Sequence, residues 1–292
     1  MPLAYIPSLS HASWRLGPVP ARGQALFIVA GIILAIVLAE RRYRAAGGRP
    51  GVIMDIAVWA VPAGLIPAVL AGLLAPLPGG VWQGIRTWDE ALGYPGAAAL
   101  GTLAAWAACR HWRRRRRGRY IRRDIRRDVR LREVAGAVAP AMAFGYAVAA
   151  LGGWAAQENY GRPSSLWWAV AISPAHRLPG YENFATFQPV FLYLALWEIT
   201  AGIAVIWASR RLNLSGDRAF ALQAAAYAAG GFALFWLGIG HLPVVLGLRA
   251  GELGDAVVLA GAVVYLARTR RRRTASGQTS HKSALERDSP VM

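Results

Sequence analysis

The chain has 292 residues, of which 55% are hydrophobic and only 16% charged, with a formal net charge of +18. Soluble domains carry about 25% charged residues, so these proportions exclude an ordinary soluble fold and point to a membrane protein. The histidines (His11, His111, His176, His241, His281) are scattered, and Walker, Rossmann and G-x-S-x-G patterns are missing; no metal and no cofactor is expected.

In chain order, the first apolar run begins only after Arg22, and no small-residue cleavage site precedes it, so no cleavable signal peptide is expected. Seven apolar blocks of a length suited to crossing a bilayer follow, at about 24–40, 52–76, 93–109, 133–156, 189–208, 219–239 and 252–267. The second, third and sixth are rich in Ala and Gly, which lets helix backbones approach closely in lipid. The expected fold is therefore an all-α integral membrane protein with seven transmembrane helices. Of the 33 basic residues, 27 fall after the odd-numbered helices and only 6 before the first helix or after the even-numbered ones. Cytoplasmic loops hold the excess of Lys and Arg, which puts the N-terminus outside and the C-terminus in the cytoplasm. Cys109, alone at the inner end of the third block, has no intramolecular disulfide partner and reads as a packed apolar residue.

Residues 1–267 thus form the transmembrane domain, with an Arg-rich cytoplasmic insert at about 110–132, and 268–292 form a polar tail expected to be disordered. Within the insert Ile121, Ile125 and Val129 recur every four residues beneath a cationic face. Such a helix lies on a membrane surface, and the stretch Arg113–Arg130 is expected to bind anionic inner-leaflet headgroups, each Arg contributing about 1 kcal/mol. Nucleic acid is the less favoured polyanion, because the stretch lacks an aromatic stacking platform. A plain topogenic loop accounts for the same charges.

Polar groups that remain for chemistry lie at the outer membrane edge: Arg86 and Asp89 in "IRTWDE", Glu158 and Arg162 in "QENYGR", and Tyr193. Trp82 and Trp88 suit an interfacial aromatic belt. If the fourth helix continues past Ala156, Glu158 and Arg162 share a face and pair, either as a site or as a salt bridge closing the helix. Glu198 lies inside the fifth block, where a carboxylate faces a cavity or a partner.

These residues carry a resemblance. "QENYGRPSSLWWAV" followed by "QPVFLYLALWE" resembles the prolipoprotein diacylglyceryl transferases, as do "AVWAVPAGLI", "IRTWDEALGYPGA" and "REVAGAVAPAMAFG". The similarity runs from about residue 5 to 267. It implies a multi-pass protein of the bacterial plasma membrane working in lipoprotein biogenesis. Members of this family move a diacylglyceryl group from phosphatidylglycerol to the lipobox Cys thiol of a prolipoprotein, forming a thioether and releasing glycerol phosphate. The implied partners are phosphatidylglycerol and prolipoprotein signal peptides.

Carried over position by position, the match is partial. The family's G-R-x-G-N-x-x-N-x-E-x-x-G-R pattern keeps Gly152, Glu158, Gly161 and Arg162, but its first Arg falls on Ala150 and its two Asn on Gly153 and Ala156. The G-x-R-x-x-H pattern finds Val69 and Gly72. The W-D-G-G segment keeps Trp88 and Asp89 but has Glu90 and Ala91, and Pro95 stands where His is usual. H-P-x-x-x-Y-E becomes Gln188, Pro189, Tyr193 and Leu194, and an Arg, Glu, Arg series falls on Gly231, Phe235 and Gly238. Glu198 sits one turn beyond Leu194, roughly 6 Å along the axis, and can return a carboxylate to the same face.

The leaving phosphate keeps its negative charge, and Arg forks preorganised on it are the largest catalytic help available. Their replacement by small or apolar residues implies weak or absent transfer in this chain. The catalytic candidates are Glu158 and Asp89 for the thiol proton; the phospholipid-binding candidates are Arg162, Arg86, Tyr193 and Glu198. The alternative is a non-catalytic paralogue that binds lipid or signal peptide, or modulates an active transferase.

Overall fold

The computed structural model describes residues 5–8, 13–16, 19–74, 107, 131–239, 244–245 and 248–287. Arg86, Asp89, nearly all of the third apolar segment and the stretch Arg113–Arg130 lie outside the described residues. Helices dominate: α1 (Gly23–Ala45), α2 (Val52–Leu74), α3 (Leu131–Ala150), α4 (Gly152–Ala156), α5 (Val190–Arg211), α6 (Gly216–Phe235) and α7 (Ala250–Arg287). Among the described residues three short antiparallel pairs accompany them: β1 (Ser13–Leu16) with β2 (Val19–Arg22), β3 (Val170–Ala171) with β4 (Thr186–Phe187), and β5 (Val244–Val245) with β6 (Leu248–Arg249). Val170 faces Phe187 and Ala171 faces Thr186 in the middle pair.

Among the described residues three stretches are long and apolar enough to cross a membrane: Gly23–Ala45, Leu131–Ala156 and Val190–Arg211. Their outward faces are apolar, as lipid requires: Val29 and Ile33 on α1, and Leu196, Ile203 and Trp207 on α5, are all exposed. α3 is the hub, packing against α1 most extensively and also against α5 and α6, while α6 packs on α7. The α1–α3 crossing depends on two glycines. A Cβ added to Gly145 would stand 2.7 Å from the Gly31 carbonyl oxygen, and one added to Gly31 would collide with the Gly145 carbonyl. Small residues matter here because helix association in lipid depends on close van der Waals approach. Pro140 sits inside α3, fully buried.

Cores form where helices converge. Ala39, Tyr43, Val52, Ile53, Val134 and Ala137 cluster between α1, α2 and α3; Ala139, Val205 and Ala219 join α3, α5 and α6. A separate cluster of Tyr160, Val170, Ile172, Phe187 and Phe191 holds a head built from residues 157–189. The N-terminal Ile6 joins this head as a strand beside Val170, its amide donating to Ala169 O and its carbonyl accepting from Ala171 N.

Two boundaries differ from expectation. The fourth apolar segment breaks at Leu151, though it ends at Ala156 as expected, where Gln157 takes a left-handed conformation at φ 55°. The sixth stops at Phe235 rather than 239, and Leu237 and Ile239 turn toward the head. α7 runs as helix to Arg287, into the polar stretch that begins at 268. Arg, Ala, Lys, Leu and Glu in that stretch are good helix formers, and an established helix extends more easily than a new one nucleates.

Candidate functional site

Gln157 sets the geometry of the site. The end of α4 is a Schellman turn: Glu158 N–H donates to Gly153 O at 2.9 Å and Gln157 N–H to Trp154 O at 3.3 Å. Glycine is the usual residue at such a left-handed position, because a side chain there is strained. Gln157 is held there by its own side chain, which is buried and accepts the Ser173 N–H at Oε1, 2.7 Å away. Asn159 is left-handed as well, φ 56°, and its carbonyl accepts the Phe191 N–H at the start of α5.

Because the helix has ended, Glu158 and Arg162 do not share a helical face. Both are exposed, and among the described residues neither has an ion-pair partner. The expected Glu158–Arg162 pair is therefore corrected: the two consecutive turns separate them.

The backbone around Arg162 is instead extended and doubly bonded. Gly161 N–H donates to Gln188 O at 2.7 Å, Gln188 N–H returns to Arg162 O at 3.0 Å, and Arg162 N–H donates to Leu237 O at 3.2 Å. Gly161 bridges Gly238 and Pro163 bridges Phe187. A Cβ on Gly161 would collide with the Leu237 carbonyl, which is why glycine stands there. This strip gathers positions distant in sequence, so that Arg162, Gln188 and Gly238 meet beside the first turn of α5, which carries Tyr193.

Tyr193 takes part through its hydroxyl, which accepts the Trp168 indole N–H at 2.8 Å. Trp168 in turn meets Trp167 edge-on, with centroids 5.0 Å apart, and Trp167 is exposed. Beneath the strip, Tyr160 is buried; its hydroxyl donates to His176 O at 2.6 Å and accepts from Leu178 N at 3.0 Å. Burial is the first cause that pushes this hydroxyl's pKa above its ordinary value. The Tyr160 ring packs on Phe187 with centroids 4.8 Å apart.

Glu198 is placed elsewhere. It lies buried between α5 and α6, its Oε2 accepting from Gln223 Nε2 at 3.0 Å. A carboxylate removed from water needs such a partner. α7 contributes two carboxylates that the sequence reading did not single out: a Cβ added to Gly231 would collide with the Asp255 carboxylate, and Glu252 acts on Asp255 electrostatically. A Cβ added to Gly153 would stand 2.9 Å from the Phe191 Cβ and 3.0 Å from the Glu158 carbonyl oxygen. Both glycine positions are thus closed to a side chain, one by a carboxylate and one by α5. Among the described residues no group of His, Cys, Asp and Glu is arranged to hold a metal.

The sequence profile of the family described as prolipoprotein diacylglyceryl transferase matches residues 11–268. The chain belongs to that family. Among its relatives, phosphatidylglycerol–prolipoprotein diacylglyceryl transferase 2 of Streptomyces coelicolor is 38% identical over 272 residues, 91% of this chain and 81% of the relative. Transferase 1 of the same organism is 39% identical over 281 residues, 94% of this chain and 76% of the relative. The transferase of Frankia alni is 38% identical over 278 residues, 93% of this chain and 69% of the relative. The transferase-family motif positions Gly152, Glu158, Gly161, Arg162, Pro189 and Tyr193 all fall on the head and the ends of α4 and α5 that frame it.

Proposed function

We propose that this chain works in lipoprotein biogenesis as a multi-pass protein of a bacterial plasma membrane, and that diacylglyceryl transfer by it is slow or absent. Its ligands are phosphatidylglycerol and prolipoprotein signal peptides, and its role is to bind them or to modulate an active transferase. The observation that carries this reading is Asp255 against Gly231. A phosphate leaving group needs fixed cations in a low-dielectric site, and a carboxylate where the family pattern calls for Arg repels it. The reading includes seven spans, the N-terminus outside and the head on the outer surface, supported by the distribution of basic residues.

A second reading is favoured by the length of the match, 94% of this chain against one relative. Here the chain is a transferase with a relocated site. Arg162 and Arg86 hold the phosphate, and Glu158 or Asp89 takes the thiol proton. The sulfur bonds to the glyceryl carbon as its C–O bond to phosphate breaks, and glycerol phosphate leaves. Tyr193, braced by Trp168, contacts the lipid.

The test is complementation of a strain depleted of its own transferase, together with lipobox-peptide labelling in membranes. Removing one preorganised donor typically costs about 10² to 10³ in rate, so no rescue is expected with Ala150 and Gly231 standing at two such positions. Ala150→Arg with Gly231→Arg should restore little. Robust rescue by the unchanged chain refutes the first reading; Glu158→Gln should then abolish it.

A further inference from the structure

α5 has 22 residues, about 33 Å at 1.5 Å per residue, which matches a hydrocarbon core of about 30 Å. Its two ends therefore lie at the two membrane surfaces. One side of the helix faces lipid: Leu196, Thr200, Ile203 and Trp207 are exposed and recur at helical spacing. Of these four Thr200 alone is polar, and its hydroxyl donates to the Trp197 carbonyl of the same helix at 2.7 Å. A polar group turned to lipid needs such an internal partner. Trp207 stands close to Arg210 and Arg211 of the last turn, the place of an interfacial belt residue.

At the other end the same stripe runs on into the head. Tyr193 precedes Leu196 by three residues and Thr200 by seven, so it shares their side of α5. Helical side chains lean toward the N-terminus, which brings the Tyr193 hydroxyl level with the start of α5. There it accepts the Trp168 indole N–H at 2.8 Å. Trp168 thus sits at the membrane surface on the lipid-facing side, and Trp167 meets it edge-on with centroids 5.0 Å apart. Trp167 is 70% exposed and Leu166 before it 41%. Two large apolar side chains left open at this depth, continuing a lipid-facing stripe, are covered by the bilayer itself. Tryptophan suits the headgroup region because its ring is apolar and its N–H reaches water.

We propose that Trp167 and Leu166 insert into the boundary between headgroups and acyl chains, making the turn at 164–168 a membrane anchor for the head. Trp168 and Tyr193 couple that anchor to α5. Arg162, whose carbonyl accepts from Gln188 just before α5, is thereby held at headgroup height. The anchor uses lipid as a surface and not as a substrate, so it is independent of whether the chain transfers diacylglyceryl groups.

The experiment uses the full chain in phosphatidylcholine nanodiscs. Tryptophan emission of the wild type minus that of Trp167→Phe isolates the contribution of Trp167. In discs of lipid brominated close to the glycerol end of its chains, that difference should be lost to quenching. A second arm starts from Cys109→Ser, which removes the one cysteine of the chain. A spin label on Trp167→Cys should lie roughly 5–10 Å below the headgroup surface, shielded from a water-soluble nickel chelate and open to oxygen. A label on Glu182→Cys, exposed on the same head, should be open to the chelate. Either unquenched emission or a label at 167 as open to the chelate as the one at 182 overturns the proposal. So does emission that bromolipid leaves unchanged and that shifts only when a lipobox signal peptide is added, since the patch then docks peptide.

Discussion

Replacing Tyr160 by Phe removes one oxygen and little else, because the ring keeps its place on Phe187. That oxygen serves two backbone groups, the His176 carbonyl and the Leu178 amide, at 2.6 and 3.0 Å. Each buried group left without a partner costs about 1–3 kcal/mol, so the head segment should lose roughly 2–5 kcal/mol once some water entry is allowed. Local opening is exponential in that figure, giving about 30-fold to several-thousand-fold faster amide exchange. Hydrogen-exchange mass spectrometry of the full chain in nanodiscs reads this directly. Peptides covering Ile172–Tyr181 should lose protection, and peptides in α3 and α5 should not change. Exchange within about threefold of wild type across Ile172–Tyr181 would refute the reasoning, because the hydroxyl would then not be what holds the loop down. The pH behaviour follows from the raised Tyr160 pKa. The folded head holds this proton more tightly than the unfolded one, so its contribution is complete below the ordinary value of 10.0 and declines as pH rises through the folded value. Tyr160→Phe should lack that alkaline decline.

Three further outcomes are expected. Glu198→Leu strands Gln223 without its partner and should lower the melting temperature in detergent, whereas Glu198→Leu with Gln223→Leu should recover much of the loss; an equal or greater loss in the double variant would contradict a simple buried pair. A reporter active only in the cytoplasm should work when fused after Arg273 and fail when fused after Gly180, and the reverse pattern would invert the proposed orientation. A synthetic peptide of Arg113–Arg130 should gain helical circular dichroism with anionic but not neutral vesicles, fading with salt; tighter binding to duplex DNA at physiological salt would count against it.

Class and family were readable from residue order because both are local properties. Gly23–Ala45 and Val190–Arg211 are continuous apolar blocks, and the bilayer demands nothing more specific of a spanning helix than length and apolarity. The retained motif residues Gly152, Glu158, Gly161 and Arg162 likewise stand within one short stretch. What they do depends on pairings that no local pattern encodes. Glu158 and Arg162 have the spacing of a helical ion pair, yet Ser173, 16 residues away, supplies the bond that holds Gln157 left-handed and ends the helix before them. Glu198 reads as a carboxylate inside an apolar block, and Gln223, 25 residues on, supplies the hydrogen-bond partner that the sequence does not reveal. Gly231 reads as a lost arginine, and only the packing of α7 on α6 brings the Asp255 carboxylate against it. In each case the deciding partner is remote in sequence, and burial decides the outcome: a polar group removed from water must find whichever donor or acceptor the packed helices bring within reach.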